Sequence, residues 1–307
     1  MKLAVCIITY KRPNGLMRVL KGIGAQRFSD QRPDIRVVVV DNDETGSAGA
    51  TCDAVRPDFA WALECSIEPR RGIPFARNTA IARAGDDVDY VAFIDDDEVP
   101  DPNWLDELLR VMKQYQADVV AGPVVPHFME EPPAWVVKGK FYDRQRWPTG
   151  EVLDRAFTGN ILFRREVFAG MGVLFDERMS LTGSSDSHFL QRVHRAGFRI
   201  VWADQALATE WVPPSRVGTR WILRRSFRVG TTTAFIMFDL HSMVKGRALV
   251  LASGCYHFFF GTVFLGVGWI RGRAGLVKSL REFCYGAGML LGLLGTRYQE
   301  YRRTHGS

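Results

Sequence analysis

The chain has 307 residues, 47% of them hydrophobic, enough for one large domain or two smaller ones. Five scattered cysteines (Cys6, Cys52, Cys65, Cys255, Cys284) form no Cys-x-x-Cys pair, which argues against a disulfide or zinc framework and fits a reducing compartment. The net charge of +6 is uneven: residues 216–307 hold 14 Lys/Arg and 3 Asp/Glu, whereas residues 1–215 hold 26 and 31.

The opening MKLAVCIITYKRP is not expected to be a signal peptide, because its apolar run is short and Lys11-Arg12-Pro13 follows it. LAVCIIT (3–9) and IRVVVVDN (35–42) are apolar, β-branched runs without alternation, the pattern of strands buried on both faces of a parallel sheet. Between them, Gly15–Gln26 carries Leu16, Val19, Leu20 and Ile23 on one helical stripe. A second strand–helix–strand unit follows, with a helix over Pro74–Arg83 and a buried strand DYVAFI (89–94). Further on come a helix over Trp104–Tyr115, a strand ADVVAGPVVP (117–126) and a Pro/Trp-rich connection over about 127–150. FTGNILFRREVF (157–168) reads as a strand running into a helix, Asp186–Ala196 as a helix closed by Gly197, and FRIVWA (198–203) as a strand. After Pro213-Pro214 the character changes to a basic stretch, Arg216–Arg228, then an uncharged run, Ala248–Ile270, and a second apolar run, Phe283–Gly295.

The chemistry concentrates in FIDDDEVP (93–100), where Asp95, Asp96, Asp97 and Glu98 follow a buried strand. Open α/β sheets bind ligands at that edge. Adjacent carboxylates are stable there with a divalent cation, and hard oxygen ligands suit Mg²⁺ or Mn²⁺ completed by substrate phosphates. Lys11-Arg12, Arg70-Arg71 and Arg77 supply arginine forks and charges for phosphate. The bland alternative is a solvated acidic turn, which the preceding buried strand disfavours. Glu98 has no evident task and reads as a solvated neighbour.

The segments IITYKRP (7–13), VVVDND (38–43), RRGIPFARN (70–78), FIDDDEVPDPNWL (93–105), TGN (158–160), TGSSDSHFL (182–190) and RRSFRVG (224–230) occur in the order of the family 2 inverting glycosyltransferases. The chain resembles that family, and within it the succinoglycan-type exopolysaccharide glucosyltransferases. The resemblance implies the GT-A fold: an α/β domain with a mostly parallel central sheet. It divides the chain into a nucleotide-sugar half (1–100), an acceptor half (101–230) and a C-terminal apolar, basic helical region (231–307) that associates with a membrane. It assigns Thr9, Tyr10, Arg12, Asp41, Arg71, Arg77, Asn78, Asp95 and Asp96 to the nucleotide sugar, and Asp97 to a metal bridging the diphosphate. Asp186 is the expected general base, although Ser185 stands where relatives carry glutamate. Glu210 replaces a histidine that completes the metal site in many relatives. Asn160, His188, Arg225 and Arg228 are expected at the diphosphate or acceptor. Trp135, Trp147 and Trp211 suit acceptor stacking and core filling equally.

The expected donor is a UDP-sugar, with glucose the sugar, and the expected acceptor a saccharide on a polyprenyl diphosphate. Ala248–Ile270 is long enough for a bilayer, which takes about 20 residues. Basic residues nevertheless flank both ends (Lys245 and Arg247, Arg271 and Arg273), which favours monotopic attachment to the inner leaflet, at the cytoplasmic face, over a single crossing. No nucleic-acid partner is expected. Two rival readings stand beside this one. A nucleotidyltransferase would usually carry a Gly-rich phosphate loop, whereas TYKRPNG has one glycine. A non-catalytic membrane scaffold would have only Ser185 in its favour.

Overall fold

The computed structural model describes residues 1–299; residues 300–307 of the expected C-terminal region lie outside the described residues. The elements run β1 (Lys2–Thr9), α1 (Pro13–Gly24), β2 (Asp34–Asp41), α2 (Gly49–Val55), β3 (Ala62–Ile67), α3 (Ile73–Ala84), β4 (Tyr90–Ile94) and β5 (Glu98–Pro100). They continue α4 (Trp104–Gln114), β6 (Val119–Ala121), β7 (Val124–Phe128), α5 (Ala134–Gly139), β8 (Val152–Leu153), β9 (Asn160–Arg164), α6 (Arg165–Gly170) and α7 (Ser185–Arg195). β10 (Ile200–Trp202) and β11 (Ala208–Val212) precede four helices, α8 (Thr219–Leu240), α9 (Met243–Val263), α10 (Leu265–Ile270) and α11 (Gly272–Leu293).

An eight-stranded sheet has the order β3-β2-β1-β4-β9-β6-β10-β8. β1, β2, β3 and β4 are mutually parallel, as the unalternated apolar runs require, and β9 runs antiparallel between β4 and β6. Alternate residues of β1 feed two cores. Leu3, Val5 and Ile7 pack with α1 and α4, while Ala4 and Cys6 pack with α3 and α7. Covered on both faces, β4 can open to a ligand only at its end, where the acidic run begins.

Two segments depart from expectation. Residues 117–126 are not one strand: β6 joins the large sheet and β7 a second, three-stranded sheet of order β5-β11-β7. Gly122-Pro123 makes the break, because proline cannot donate to the ladder. The boundary at 230/231 falls inside α8, which runs unbroken from the cleft into the tail. Composition changes there, but the helix does not.

The tail packs by close backbone approach. A Cβ at Gly230 of α8 would lie 2.2 Å from the Tyr285 carbonyl oxygen of α11, and one at Gly288 of α11 would lie 2.2 Å from that of Phe227. Glycine is required at both, and α8 and α11 are in backbone contact. Among the described residues no helix is long and apolar enough to cross a membrane. α9 ends at Val263 and α10 begins at Leu265, so the uncharged run is divided.

The small sheet corrects the reading of Glu98, which is 2% exposed rather than solvated. Its carboxylate accepts from the Asp95 backbone N–H at 3.3 Å and lies against Gly159, where any Cβ would sit 2.5 Å from Oε1. The glycine of the TGN motif is therefore room for Glu98. Its neighbour Asn160, expected at the diphosphate or acceptor, is also buried. Its Oδ1 accepts from Trp104 Nε1 (2.7 Å), and its Nδ2 donates to the carbonyls of Pro123 (2.9 Å) and Ala206 (2.7 Å). Asn160 joins the two sheets and does not line the cleft.

Burial pushes the Glu98 carboxyl well above the usual range, and Asp95, Asp97 and Glu210 add to this against Arg144. Between the ordinary glutamate value and the raised native one, the folded protein holds a proton that the unfolded chain has lost. Stability therefore falls as pH rises through that window. Glu98→Gln removes the titration and keeps the shape. The melting temperature of Glu98→Gln minus that of wild type, in the absence of divalent cations, is expected to widen as pH is raised from about 4.5 to about 8. A pH-independent difference would show that Glu98 ionises freely in the native protein.

Candidate active site

A cleft of about 430 Å³ opens at the carboxyl ends of β1 and β4, a volume suited to a small-molecule ligand. The loop after β1 contributes Thr9, Tyr10 and Arg12, and Gly72-Ile73 with Arg71, Ala76 and Arg77 line another wall. Asp95, Asp96, Asp97 and Glu98 form the floor, Asp186 enters from the start of α7, and Glu210 from β11. Arg225, Arg228 and Trp221 overhang it from α8.

Arginines from distant segments hold the acidic run. Thr9 Oγ1 donates to Asp96 Oδ2 at 2.8 Å, and Arg12 Nη1 donates to Asp96 Oδ1 (2.8 Å) and Asp97 Oδ2 (3.1 Å). Arg216 Nη1 lies 2.8 Å from Asp97 Oδ2 and 3.4 Å from Glu210 Oε1. Arg144 donates to the other Glu210 oxygen. Arg77 Nη2 is 3.6 Å from Asp95 Oδ1, and its Nη1 donates to Ser185 Oγ at 3.3 Å.

The three aspartates are unequal. Burial pushes Asp95 up to about 6 against the pull of Arg77, with Asp97, Asp96 and Asp186 adding to the rise. Burial likewise raises Asp96, opposed by Arg12. Burial works on Asp97 too, but Arg216 and Arg12 outweigh it and hold that carboxyl below the usual range. Asp97 is thus the committed anion of the run, the state a hard cation needs in a ligand. Asp97 and Glu210 converge on one cationic nitrogen of Arg216 and offer only oxygen. That donor set fits Mg²⁺ or Mn²⁺.

Tyr10 lines the cleft under two cations. The Arg71 guanidinium lies 4.4 Å and the Lys11 ammonium 5.3 Å from its ring centroid. Asn42 ties the neighbouring loop, its Nδ2 donating to the carbonyls of Glu68 and Arg70 (both 2.9 Å) and its Oδ1 accepting from the Gly72 N–H (2.7 Å). Arg70 closes the loop on Glu68, whose carboxyl is held down to about 2 chiefly by that bond.

Twelve of the residues expected from the sequence thus meet in one cleft: Thr9, Tyr10, Arg12, Arg71, Arg77, Asp95, Asp96, Asp97, Asp186, Glu210, Arg225 and Arg228. Besides Asn160, three others do not line it. Asp41 is fully buried and accepts from the backbone N–H groups of Ala48 (2.6 Å) and Asp43 (3.0 Å), which shapes the loop after β2. Asn78 is engaged in both directions with the Phe175 backbone (2.9 and 3.0 Å). His188 is 1% exposed, with Nε2 2.8 Å from Asp239 Oδ2, and cannot touch an acceptor. The three tryptophans serve packing: Trp147 meets Trp202, Trp135 meets Phe141, and Trp211 meets His127 and Arg18.

Arg144 and Arg216 escaped sequence reasoning. Arg144 sits in the connection without periodicity, and nothing local marks it. Arg216 had one usable signal, its place at the head of the basic stretch beyond Pro213-Pro214. Ser185 is fully buried, with its Oγ 3.3 Å from Arg77 Nη1.

The sequence pattern described as Glycosyl transferase family 2 matches residues 4–172, and that of Glycosyl transferase family group 2 matches residues 90–295. The chain is 31% identical over 248 residues to the succinoglycan biosynthesis protein ExoM of Rhizobium meliloti, covering 80% of this chain and 79% of that one. It is 27% identical to the glucosyl-dolichyl phosphate glucuronosyltransferase of Haloferax volcanii, covering 75% of each. Among solved structures, S. aureus TarS 1–349 in complex with UDP-GlcNAc superposes with a TM-score of 0.56 at 15% identity, covering 100% of this chain and 95% of that one. The same TarS fragment in complex with UDP gives 0.55 at 16% identity, covering 97% and 93%. That likeness extends to the fold, an α/β glycosyltransferase fold with a mainly parallel sheet. From the sequence pattern, the ExoM likeness and the cleft at the sheet edge together, the chain belongs to glycosyl transferase family 2.

Proposed function

We propose that the protein transfers glucose with inversion from UDP-glucose to a saccharide carried on a polyprenyl diphosphate, in exopolysaccharide synthesis. The observation that carries the reading is the meeting of Asp97, Glu210 and Asp186 with the arginines in one cleft. The names of two relatives support its finer parts, one a succinoglycan biosynthesis protein and the other named for a lipid-linked glucose. TarS, crystallised with UDP and UDP-GlcNAc, supports the nucleotide.

In this reading the uracil stacks on Tyr10 beside Arg71, and Arg12, Arg77, Arg225 and Arg228 face the diphosphate. Asp97 and Glu210 would hold Mg²⁺ or Mn²⁺, which supplies a Lewis acid for the departing nucleoside diphosphate. Asp95 and Asp96 face the donor. Asp186 takes the proton from the acceptor hydroxyl as that oxygen bonds to the anomeric carbon, and the bond to the β-phosphate oxygen breaks on the opposite side. The arginines stabilise the charge that gathers on the β-phosphate.

We further assign the protein to the cytoplasmic face of the inner membrane as a monotopic enzyme. The support is the surface of α9 and α10. Phe259 and Trp269 are 70% and 76% exposed, and Leu251, Tyr256, Val263 and Ile270 join them between the exposed basic residues Lys245, Arg247 and Arg271. Aromatic and basic side chains together suit an anionic lipid interface.

Asp186→Asn is expected to lower kcat by about 10²–10⁴-fold. Asp97→Ala, or removal of divalent cations with a chelator, is expected to abolish UDP release from UDP-glucose in the presence of membrane-extracted lipid-linked saccharides. Full turnover in any of the three cases removes the corresponding role. Pyrophosphate release from UTP and glucose-1-phosphate would instead identify a nucleotidyltransferase. In flotation assays the protein is expected to rise with vesicles containing phosphatidylglycerol, and Phe259→Ser with Trp269→Ser to stay behind. Equal partition of both proteins would overturn the attachment.

A further inference from the structure

The helix that carries Asp186 is clamped to the tail on the side away from the cleft as well as at its rim. At its first turn, Ser184 adopts a left-handed conformation (φ 63°), unusual for serine, and its hydroxyl lies 3.0 Å from that of Thr232 on α8. Arg228 Nη1 donates to the Thr182 carbonyl at 3.2 Å in the same turn. One turn further along, His188 Nε2 meets Asp239 Oδ2 at 2.8 Å, at the far end of α8.

Asp239 is in turn fixed from outside. Arg178 donates to Asp239 Oδ1 (2.6 Å) and to both oxygens of Asp176. Asp176, His188 and Asp239 lie close enough together to hold a metal ion. The Arg178 guanidinium already binds both carboxylates and offsets one of their two charges. Burial draws His188 below its ordinary range, with Asp239 and Asp176 opposing and Arg192 adding to the fall. A neutral ring donating from Nε2 leaves Nδ1 as a lone pair, in keeping with that buried nitrogen having no partner among the described residues.

We propose that His188 and Asp239 are positioning residues that hold the first turn of α7, and with it Asp186, in register with the cleft, so that the apolar tail is part of the catalytic apparatus. Asp186 and His188 are two residues apart on one helix, so a shift of the histidine is a shift of the base. α8 cannot yield independently, because Gly230 and Gly288 lock it to α11. The inference rests on Asp186 being the base.

The test compares His188→Phe, His188→Gln, Asp239→Asn and Asp186→Asn by UDP release from UDP-glucose with membrane-extracted lipid-linked saccharides, and by calorimetry of UDP binding. His188→Phe keeps a ring and loses the donor. It is expected to lower kcat about 10- to 100-fold, the scale of a small misplacement of a reacting group, while donor KM and UDP affinity stay within twofold. His188→Gln retains an N–H donor and is expected to recover most of the rate. Asp239→Asn, which retains an acceptor for His188, is expected to fall between them. Wild-type kcat in His188→Phe with Asp186→Asn inactive would overturn the positioning role alone. Loss of UDP affinity in step with kcat would show a general collapse and overturn it too. Full activity in Asp186→Asn would remove the base, and the positioning role with it.

Discussion

The molecule is organised around a concentration of negative charge that it cannot disperse. Asp95 to Glu98 follow a strand buried on both faces, and Glu210 is brought alongside by the pairing of β11 with β5. Two unit charges 4 Å apart interact by about 4 kcal/mol at an effective dielectric of 20, so several carboxylates within such distances would drive the cleft open. The structure answers in two ways. Glu98 and Asp95 are biased towards the neutral form. Asp96, Asp97 and Glu210 are paired with Arg12, Arg216 and Arg144. Those arginines come from the loop after β1, the segment before α8 and the irregular connection after α5. The compensation is tertiary, and the site exists only when distant parts of the chain have come together.

This explains what could be read from the sequence. The parallel strands, the amphipathic α1 and α4 and the place of the acidic run are local patterns, and local patterns survive in a sequence. Arg144 and Arg216 are functional only through a partner elsewhere in the chain. The expected residues that lie off the cleft show the complementary case. Asp41, Asn78, Asn160 and His188 sit inside motifs with the right residue types, yet each is turned away from the cleft to satisfy backbone or a buried side chain. A short polar residue at a strand end or loop can serve a ligand or the loop itself with equal chemistry. Only the direction of the side chain separates the two.

Glu98 marks the same limit at a finer scale. Four acidic letters in a row look equivalent, and the strand β5 that begins at Glu98 is too short to leave a hydrophobic pattern. Its carboxyl points back under β4 into space left by Gly159. The run therefore splits into a floor residue pushed by burial towards the neutral form, two aspartates whose carboxyls burial raises and one held below the usual range by arginines, and the split is made by geometry acting on identical chemistry.

The same reasoning changes what the tail is. The shift from an acidic front part to a basic, apolar end invites a boundary near residue 230, but α8 ignores it. One end of that helix places Trp221, Arg225 and Arg228 over the cleft, and the other places Asp239 against His188. Its middle is fused to α11 through glycines that admit no side chain. A helix with both ends in the active domain and its centre in the tail cannot belong to either alone. α9, which carries much of the exposed aromatic face, packs on α11 just as closely, since a Cβ at Gly261 would lie 2.3 Å from the Phe283 backbone nitrogen.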